Sequence, residues 1–399
     1  MQALTPRYDP LDPEVLDNPY PTYARLRRES RVCYAGPGQW AVTQYADVAG
    51  LLRDPRLGHE FPDIYYRFSL GDGDANSFFR RIILDRDPPD HTRLRRLMMQ
   101  AFAPPLMRAL EQRIAHLVDA LLDGVAGRTR LDIVSDIAFP LPYLVICELL
   151  GVPPESRDEV RPYVISLCQA FGTHTPVDER PAIDRAVVWL REFVGRLVDE
   201  RRARPCDDLI SRMSAATEGP DALGWDEIVD NAVFLFFAGF ETTSNVIASG
   251  CAALLDHPAE LARLRADPSL VPTAVEECLR YDTPIQSVAR LVLQPVEIGG
   301  QTIRKDRVLV LLVGSANHDE AQFTDPERLD VGRKPNPHLS FGGGVHHCLG
   351  ATLGRLEAAA LFARLLDRFP TLEPAGPVVR RPSGGFRAYA SVPVTVTAR

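Results

Sequence analysis

Phe341-Gly342-Gly343-Gly344-Val345-His346-His347-Cys348-Leu349-Gly350 runs a glycine-rich loop into a cysteine, and an amphipathic stretch, residues 349–369, follows directly. The spacing of apolar residues in that stretch predicts a helix. Three consecutive glycines let the backbone approach something flat and large, or take positive φ. A cysteine at the start of a helix feels the positive end of its dipole, which favours thiolate. A thiolate held this way suits a soft metal such as iron. The same residues leave other chemistry open. Cys348 also reads as an inert thiol in a turn. His346, His347 and Cys348 suggest a zinc site, but the usual paired ligand spacing is absent. Gly342 to Gly344 suggest a phosphate cradle, but no Gly-Lys-Ser/Thr ending follows.

Outward from this loop, helical patterning dominates. Residues 225–255 are the longest candidate helix, about 45 Å at 1.5 Å per residue. It is apolar on most faces and must be buried. Residues 20–28, 45–52, 92–102, 106–125, 141–150 and 182–202 read as further helices. Strands are fewer, at 288–293, 296–298, 308–313 and 391–396, where β-branched or alternating residues gather. Proline clusters at 10–21, 88–89, 153–154 and 335–337 mark turns rather than long linkers. No internal repeat is visible. The expectation is a mainly α chain with small β-sheets, folded as a single domain over residues 1–399, against the two or three domains that length alone suggests.

Composition narrows the function classes. Hydrophobic residues are 45% and charged residues 25%, ordinary values for a soluble globular protein. The net charge of −8 argues against a nucleic-acid-binding surface over the whole chain. Seven irregularly spaced cysteines do not make a disulfide framework. Cys147, Cys168 and Cys251 sit in apolar surroundings and read as packed thiols. Residues 1–10 hold no apolar signal core. The most apolar run, 232–240, is half a membrane span long and then meets Glu241. A soluble, cytoplasmic protein with no membrane partner is expected.

Three more segments carry chemistry. Glu277-Cys278-Leu279-Arg280 places an acid and a base three residues apart, on one helix face. Ala238-Gly239-Phe240-Glu241-Thr242-Thr243 sets poor helix formers in the middle of the long helix. Threonine hydroxyls there can bond back to the preceding turn and loosen it. The segment reads as a packing notch or as a groove for a small ligand and water. In Asp87-Pro88-Pro89-Asp90-His91-Thr92-Arg93-Leu94-Arg95-Arg96, Asp90 is placed to cap a helix on which His91 and Arg95 face one way. A solvated basic face is the plainer reading of that run.

Phe341, Gly344, Cys348 and Gly350 match the signature Phe-x-x-Gly-x-x-x-Cys-x-Gly, by which the chain resembles the haem-thiolate monooxygenases of the cytochrome P-450 superfamily, in their soluble bacterial form. The resemblance implies a triangular-prism-like fold around a long central helix, and haem b with Cys348 as the axial ligand of its iron. The thiolate then donates electron density and favours O–O cleavage. By motif position, Phe341, Gly342, Gly350 and Ala238 line the haem, and His91, Arg95, Arg290 and His346 meet its propionates. Two buried carboxylates need cations or donors. Glu277 and Arg280 take the family's structural Glu-x-x-Arg role. Pro326-Glu327-Arg328-Leu329 matches the segment that supplies a second arginine, with Leu where Phe is usual; this makes Arg328 the third member, and Arg333 the poorer candidate. Ala316-Asn317-His318-Asp319 resembles a further family segment. Glu241 and Thr242 match the acid–alcohol pair, in which the alcohol bonds dioxygen and water and the acid relays protons.

The implied reaction inserts one oxygen atom of O2 into a hydrophobic small molecule, by hydroxylation or epoxidation. The chain carries neither a dinucleotide-binding glycine motif nor a clustered four-cysteine motif. An external ferredoxin and ferredoxin reductase are therefore implied, with Arg93 and Arg96 as a candidate basic docking patch. Phe234, Val288 and Phe386 are candidate substrate-pocket residues. Residues 59–79, rich in Phe and Tyr, fall where the family has a mobile loop over substrate; they read as a lid or as a satellite core. Tailoring of a bacterial secondary metabolite, such as a polyketide or peptide, free or carrier-bound, is the expected setting. The rival expectation is a non-catalytic haem-thiolate protein that recruits a partner or senses a ligand. The presence of Glu241 and Thr242 favours the enzyme.

Overall fold

The computed structural model describes residues 5–102, 104–170, 175–215 and 222–397, so the opening of the 1–10 stretch lies outside the described residues. The chain divides into two compact units. One comprises Met1–Gly58, Leu121–Ala138 and Thr243–Arg399; the other comprises His59–Ala120 and Phe139–Thr242. Among the described residues every strand belongs to the first unit, and the second is helical.

The first unit is organised by a five-stranded sheet in the order Val32–Gly36, Gln39–Val42, Val308–Leu311, Val288–Val292, Leu57–Gly58. Gln39–Val42 runs parallel to Val308–Leu311, with Trp40 opposite Leu309. The remaining pairs are antiparallel. Val32, Val42, Val292, Leu309 and Leu311 turn into one buried apolar core with Ile298 and Ile303. Burying such branched side chains is what holds a small sheet in register. The strand expected over 308–313 stops at Leu311 because Val313 opens a short helix, Val313–Ala316. A three-stranded sheet joins Arg130–Asp132, Pro393–Thr397 and Thr371–Pro374. In Pro393–Thr397, Val394 and Val396 are buried while their neighbours are not, the period of two of a half-buried strand. Two helices complete the part of this unit that matters for the site: Val271–Tyr281, which carries Glu277 and Arg280, and Ala351–Arg368, which follows the cysteine loop.

The second unit packs the helices Asp90–Ala101, Pro140–Leu150, Arg157–Cys168 and Arg180–Ala203 with the first half of the long helix. The aromatic stretch 59–79 is not a loop. It forms two short helices, Asp63–Leu70 and Asp74–Phe79. Tyr66 and Leu70, one turn apart, are buried, whereas Ile64 and Phe68 on the other face are exposed. Phe79 then packs on Phe237 of the long helix, ring centroids 5.8 Å apart. The stretch is anchored by its second helix.

The long helix spans Trp225–Asp256, and the boundary between the two units falls within it, between Thr242 and Thr243. It is long and apolar enough to cross a membrane, but 83% of its most apolar window is buried inside the protein. From Ile228 to Leu255 every residue is buried except Phe234, Ala238, Gly239 and Thr242. Phe234, Ala238 and Thr242 are spaced by four, so they form one line along a single helix face.

Candidate active site

The cysteine loop belongs to the first unit. Gly342 and Gly344 sit at φ +68° and +67°, the left-handed region in which a side chain is strained. A Cβ added to Gly344 would fall 2.5 Å from the carbonyl oxygen of Leu52. Positive φ is thus the purpose read from the sequence that these glycines serve, and the close neighbour at Gly344 is the backbone of Leu52 and Arg53. Gly344–His346 form one turn of 3-10 helix. The Cys348 amide donates to the Phe341 carbonyl at 2.9 Å and closes the loop. Cys348 is exposed. The helix after it begins at Ala351, with Gly350 as its N-cap, so a two-residue turn separates the thiol from the helix end. Among the described residues no group of three His, Cys, Asp or Glu side chains is gathered as a metal would need, which leaves the zinc reading without a ligand set.

Cys33, Cys147, Cys168, Cys251 and Cys278 are buried. Burial pushes the Cys147 and Cys251 thiols up to about 12, which keeps both protonated and inert.

Behind the loop lies a buried ion network. Glu277 and Arg280 are fully buried. Arg280 Nε and a terminal nitrogen donate to the two Glu277 carboxylate oxygens at 2.9 and 2.8 Å. Arg280 also donates to the carbonyls of Asn317 at 2.9 Å and Pro326 at 2.8 Å. The third member is Arg333, not Arg328. Arg333 Nε lies 3.0 and 3.1 Å from the Glu277 oxygens. The tight turn that begins at Asp325, φ +46°, leaves the Arg328 side chain exposed. Only the Arg328 carbonyl faces inward, accepting from Arg280 at 3.3 Å and Arg333 at 3.0 Å. Asn317 carries the network onward: its side chain donates to Ser340 Oγ at 2.9 Å and accepts the Leu339 amide at 2.8 Å. The Glu277–Arg280 pair therefore braces the start of the cysteine loop.

Arg290 is buried on its strand, and His346 is half-buried on the loop. Val288 is half-buried at the edge of the sheet core. Phe386 is buried and pairs through its backbone with Ile285.

The second unit holds the other predicted residues. Asp90 is the first residue of its helix and makes no side-chain cap; Pro89 occupies the cap position. Asp90 acts there only as an acid in the first turn, where the dipole favours it. His91 is buried and Arg95 half-buried, one turn apart. Burial first, then the Arg95 guanidinium, pushes His91 down to about 4, against the pull of Asp87. Arg93 does not project freely: it is ion-paired with Glu227 and donates to the Ala222 carbonyl at 3.2 Å. Of the two arginines expected to form a docking patch, Arg96 is the exposed one.

On the long helix, Thr242 Oγ1 donates to the Ala238 carbonyl at 2.7 Å. Glu241 is buried on the neighbouring face. A Cβ on Gly239 would meet Ile146 Cδ1 at 3.2 Å, so the notch is also where helix Pro140–Leu150 packs closely. The packing reading therefore holds at Gly239, and Thr242 bonds back to the preceding turn as its residue type suggests.

Sequence reasoning ranked Arg333 below Arg328, and it missed Asn317 as the link to the loop and the group Glu276, His338 and Arg355 beside Phe341. The signal for Arg355 was its place two turns after Cys348 in the following helix. Nothing in the sequence ranked Arg333 above Arg328, because a turn at residues 330–333, with the Arg333 amide donating to Asp330, brings it to Glu277.

The donor chemistry fits a haem. An exposed thiol on a backbone-closed glycine loop suits iron, and within the same unit Arg290 and His346 are donors of the kind a buried carboxylate needs. Fold and site together are those of a haem-thiolate protein. A family model described as Cytochrome P450 matches residues 182–384. The biotin biosynthesis cytochrome P450 of Bacillus subtilis (strain 168) is 38% identical over 388 residues, covering 96% of this chain and 97% of that protein. The polyketide biosynthesis cytochrome P450 PksS of the same organism is 33% identical over 404 residues, covering 98% of each. The crystal structure of P450BioI in complex with hexadec-9Z-enoic acid ligated acyl carrier protein superimposes with a TM-score of 0.90 at 36% identity, over 96% of this chain and 100% of that one. The chain belongs to the cytochrome P450 family: it is a monooxygenase that binds haem b through a cysteine thiolate and draws electrons from external redox partners.

Proposed function

We propose that Cys348 is the thiolate ligand of the haem, and that the enzyme oxidises a hydrophobic secondary-metabolite precursor in the cytoplasm, fed by a ferredoxin and its reductase. The observation that carries the reading is the presentation of Cys348: an exposed thiol on a loop closed by its own backbone and braced through Asn317 by a fully buried Glu277–Arg280 pair. His91, Arg95, Arg290 and His346 hold the propionates, and Phe341, Gly342, Gly350 and Ala238 line the macrocycle. When bound, the haem supplies the activation of dioxygen.

The chain's own residues do the rest. Thr242 Oγ1 spends its proton on the Ala238 carbonyl, which leaves its lone pairs free to accept a hydrogen bond from a neighbouring donor. Glu241, buried one residue away, is the acid that passes protons inward. Phe234, Ala238 and Thr242 keep accessible surface on one face of an otherwise buried helix, and that line orients an apolar substrate. Phe234, Val288 and Phe386 are the pocket residues. The likeness to a P450 crystallised with an acyl carrier protein and to a polyketide biosynthesis P450 favours a long acyl or polyketide chain, delivered on a carrier.

The test is spectroscopic. The purified protein should give the reduced, carbon-monoxide-bound band of a thiolate-ligated haem, and Cys348→Ala should abolish it. An unchanged band in the variant would end the reading. Hexadec-9-enoic acid, offered free and then linked to an acyl carrier protein, separates the two substrate forms: the carrier-linked form is expected to shift the haem spin state at lower concentration.

A further inference from the structure

A cluster next to the cysteine loop is unused by the reaction as described. The Arg355 guanidinium carbon lies 4.2 Å from the centroid of the Phe341 ring. Arg355 grips Glu276 with both arms of its fork: Nε to one carboxylate oxygen at 2.6 Å, a terminal nitrogen to the other at 2.9 Å. His338 Nε2 lies 3.0 Å from the second Glu276 oxygen. His338 Nδ1 accepts the Ser340 amide at 3.3 Å, so the Nε2 hydrogen is the one facing Glu276. Burial acts to raise the Glu276 carboxyl, but the hydrogen bonds from His338 and Arg355 hold it down to about 2. The pair is therefore ionised at every working pH.

Four chain segments meet here. Glu276 comes from the helix of the buried brace, His338 from the approach to the loop, Phe341 from the loop's first position, and Arg355 from the helix that follows it. Side chains on a helix lean toward its N-terminus, and Arg355 leans back over the loop in that sense. The bidentate carboxylate and the aromatic face fix the guanidinium plane, which a lysine would not do. Phe341 is the residue whose carbonyl holds the Cys348 amide. A full positive charge is thus held rigidly over the residue that closes the cysteine loop, with one carboxylate paired to it.

We infer that Arg355 and Glu276 form an opposed charge pair that sets how readily the haem held at Cys348 takes up its first electron. This rests on the assignment of Cys348 as ligand. Reduction adds one negative charge to the site, so a fixed cation beside the loop favours the reduced form and a fixed anion disfavours it. Arg355 is a positioning residue: it acts through Phe341 and through its field, without touching the reacting atoms.

The experiment is a dye-coupled potentiometric titration of the substrate-free holoenzyme, with the reduced carbon-monoxide band recorded for every variant. Arg355→Met should shift the ferric-to-ferrous ratio at fixed potential about tenfold toward ferric, about 59 mV for one electron. Glu276→Gln should shift it the other way. Arg355→Lys, which keeps the charge, should recover most of the ratio. The opposite signs are the discriminating result, because a merely structural role would move both variants alike. Shifts of the same sign, or changes below about twofold in both, overturn the inference while the band still reports a thiolate. If Arg355→Met fails to take up haem, Glu276→Gln and Arg355→Lys decide alone: no rise in the first, or a full loss in the second, overturns it. Failure of the Cys348 assignment looks different, because the parent protein itself would then lack the thiolate band.

Discussion

Arg280 and Arg333 converge on one buried carboxylate, and this convergence separates residues that the motif alone cannot. Removing one partner of a buried ion pair leaves an uncompensated charge and costs about 3–5 kcal/mol. Arg333→Ala leaves the Glu277–Arg280 pair intact but strips its hydrogen bonds to Glu277 and to the carbonyls of Thr324 and Arg328, so it should destabilise the protein by about 1–3 kcal/mol and impair haem retention, whereas Glu277→Ala, which strands Arg280, should cost more. Arg328→Ala should stay within about 0.5 kcal/mol, since only its carbonyl takes part. Chemical denaturation of the three variants side by side decides it. Glu277 and Arg280 were legible in the sequence because their spacing is itself the signal, as was the glycine loop that ends at Cys348. Arg333 was ranked below Arg328: its distance from Glu277 is set by two turns, and turns carry no fixed register with a helix some fifty residues away.

Elements were read with mixed success, for physical reasons. The long helix, expected over 225–255, spans Trp225–Asp256, because an all-round apolar run of that length leaves no other solution. The helices expected over 20–28, 141–150 and 182–202 appear as Pro19–Glu29, Pro140–Leu150 and Arg180–Ala203. The helices over 63–70 and 74–79 were hidden, since short aromatic runs carry no clear period; the second takes its face from Phe79 packing on Phe237. Arg157–Cys168 was hidden by Pro162 inside it. Within the cysteine loop the glycines differ in kind. Gly342→Ala meets only the conformational penalty of positive φ, about 1–3 kcal/mol. Gly344→Ala meets the same penalty plus a backbone collision at Leu52, and should be clearly worse in thermal unfolding and in haem retained after gel filtration. Equal effects would mean that the loop shifts as a body.

Across the whole molecule, two buried titratable groups give opposite pH signatures. His91 titrates at about 4 in the fold against 6.5 in an open chain, so below pH 6.5 the unfolded state takes a proton that the native state refuses. Stability from this group is complete above pH 6.5 and is lost as pH falls toward 4, by up to about 3 kcal/mol. In the cofactor-free chain His91→Gln should flatten that acid limb of the denaturation profile. A smaller acid loss in the loaded protein would mark a carboxylate beside His91. Glu357 behaves in the opposite sense. It is buried in the helix after the cysteine loop, one carboxylate oxygen has no hydrogen-bond partner, and burial holds its carboxyl protonated well above 4.5. Stability from Glu357 is complete below pH 4.5 and declines as pH rises, so Glu357→Gln should equal or exceed the parent at pH 8 in urea melts. Neither group announced this in the sequence, where one read as a propionate donor and the other drew no attention; burial, a property of the whole fold, decides both.

The parallel pairing of Trp40 with Leu309 has a consequence for biogenesis. A ribosome adding roughly 5–20 residues per second needs on the order of 15–50 s to make the second strand after the first. For that interval the nascent edge Gln39–Val42 waits for its distant neighbour, with Ala41 and Val42 still to be buried. Yield from recombinant hosts should therefore respond to chaperone supply and to slowed translation more than to the strength of the promoter.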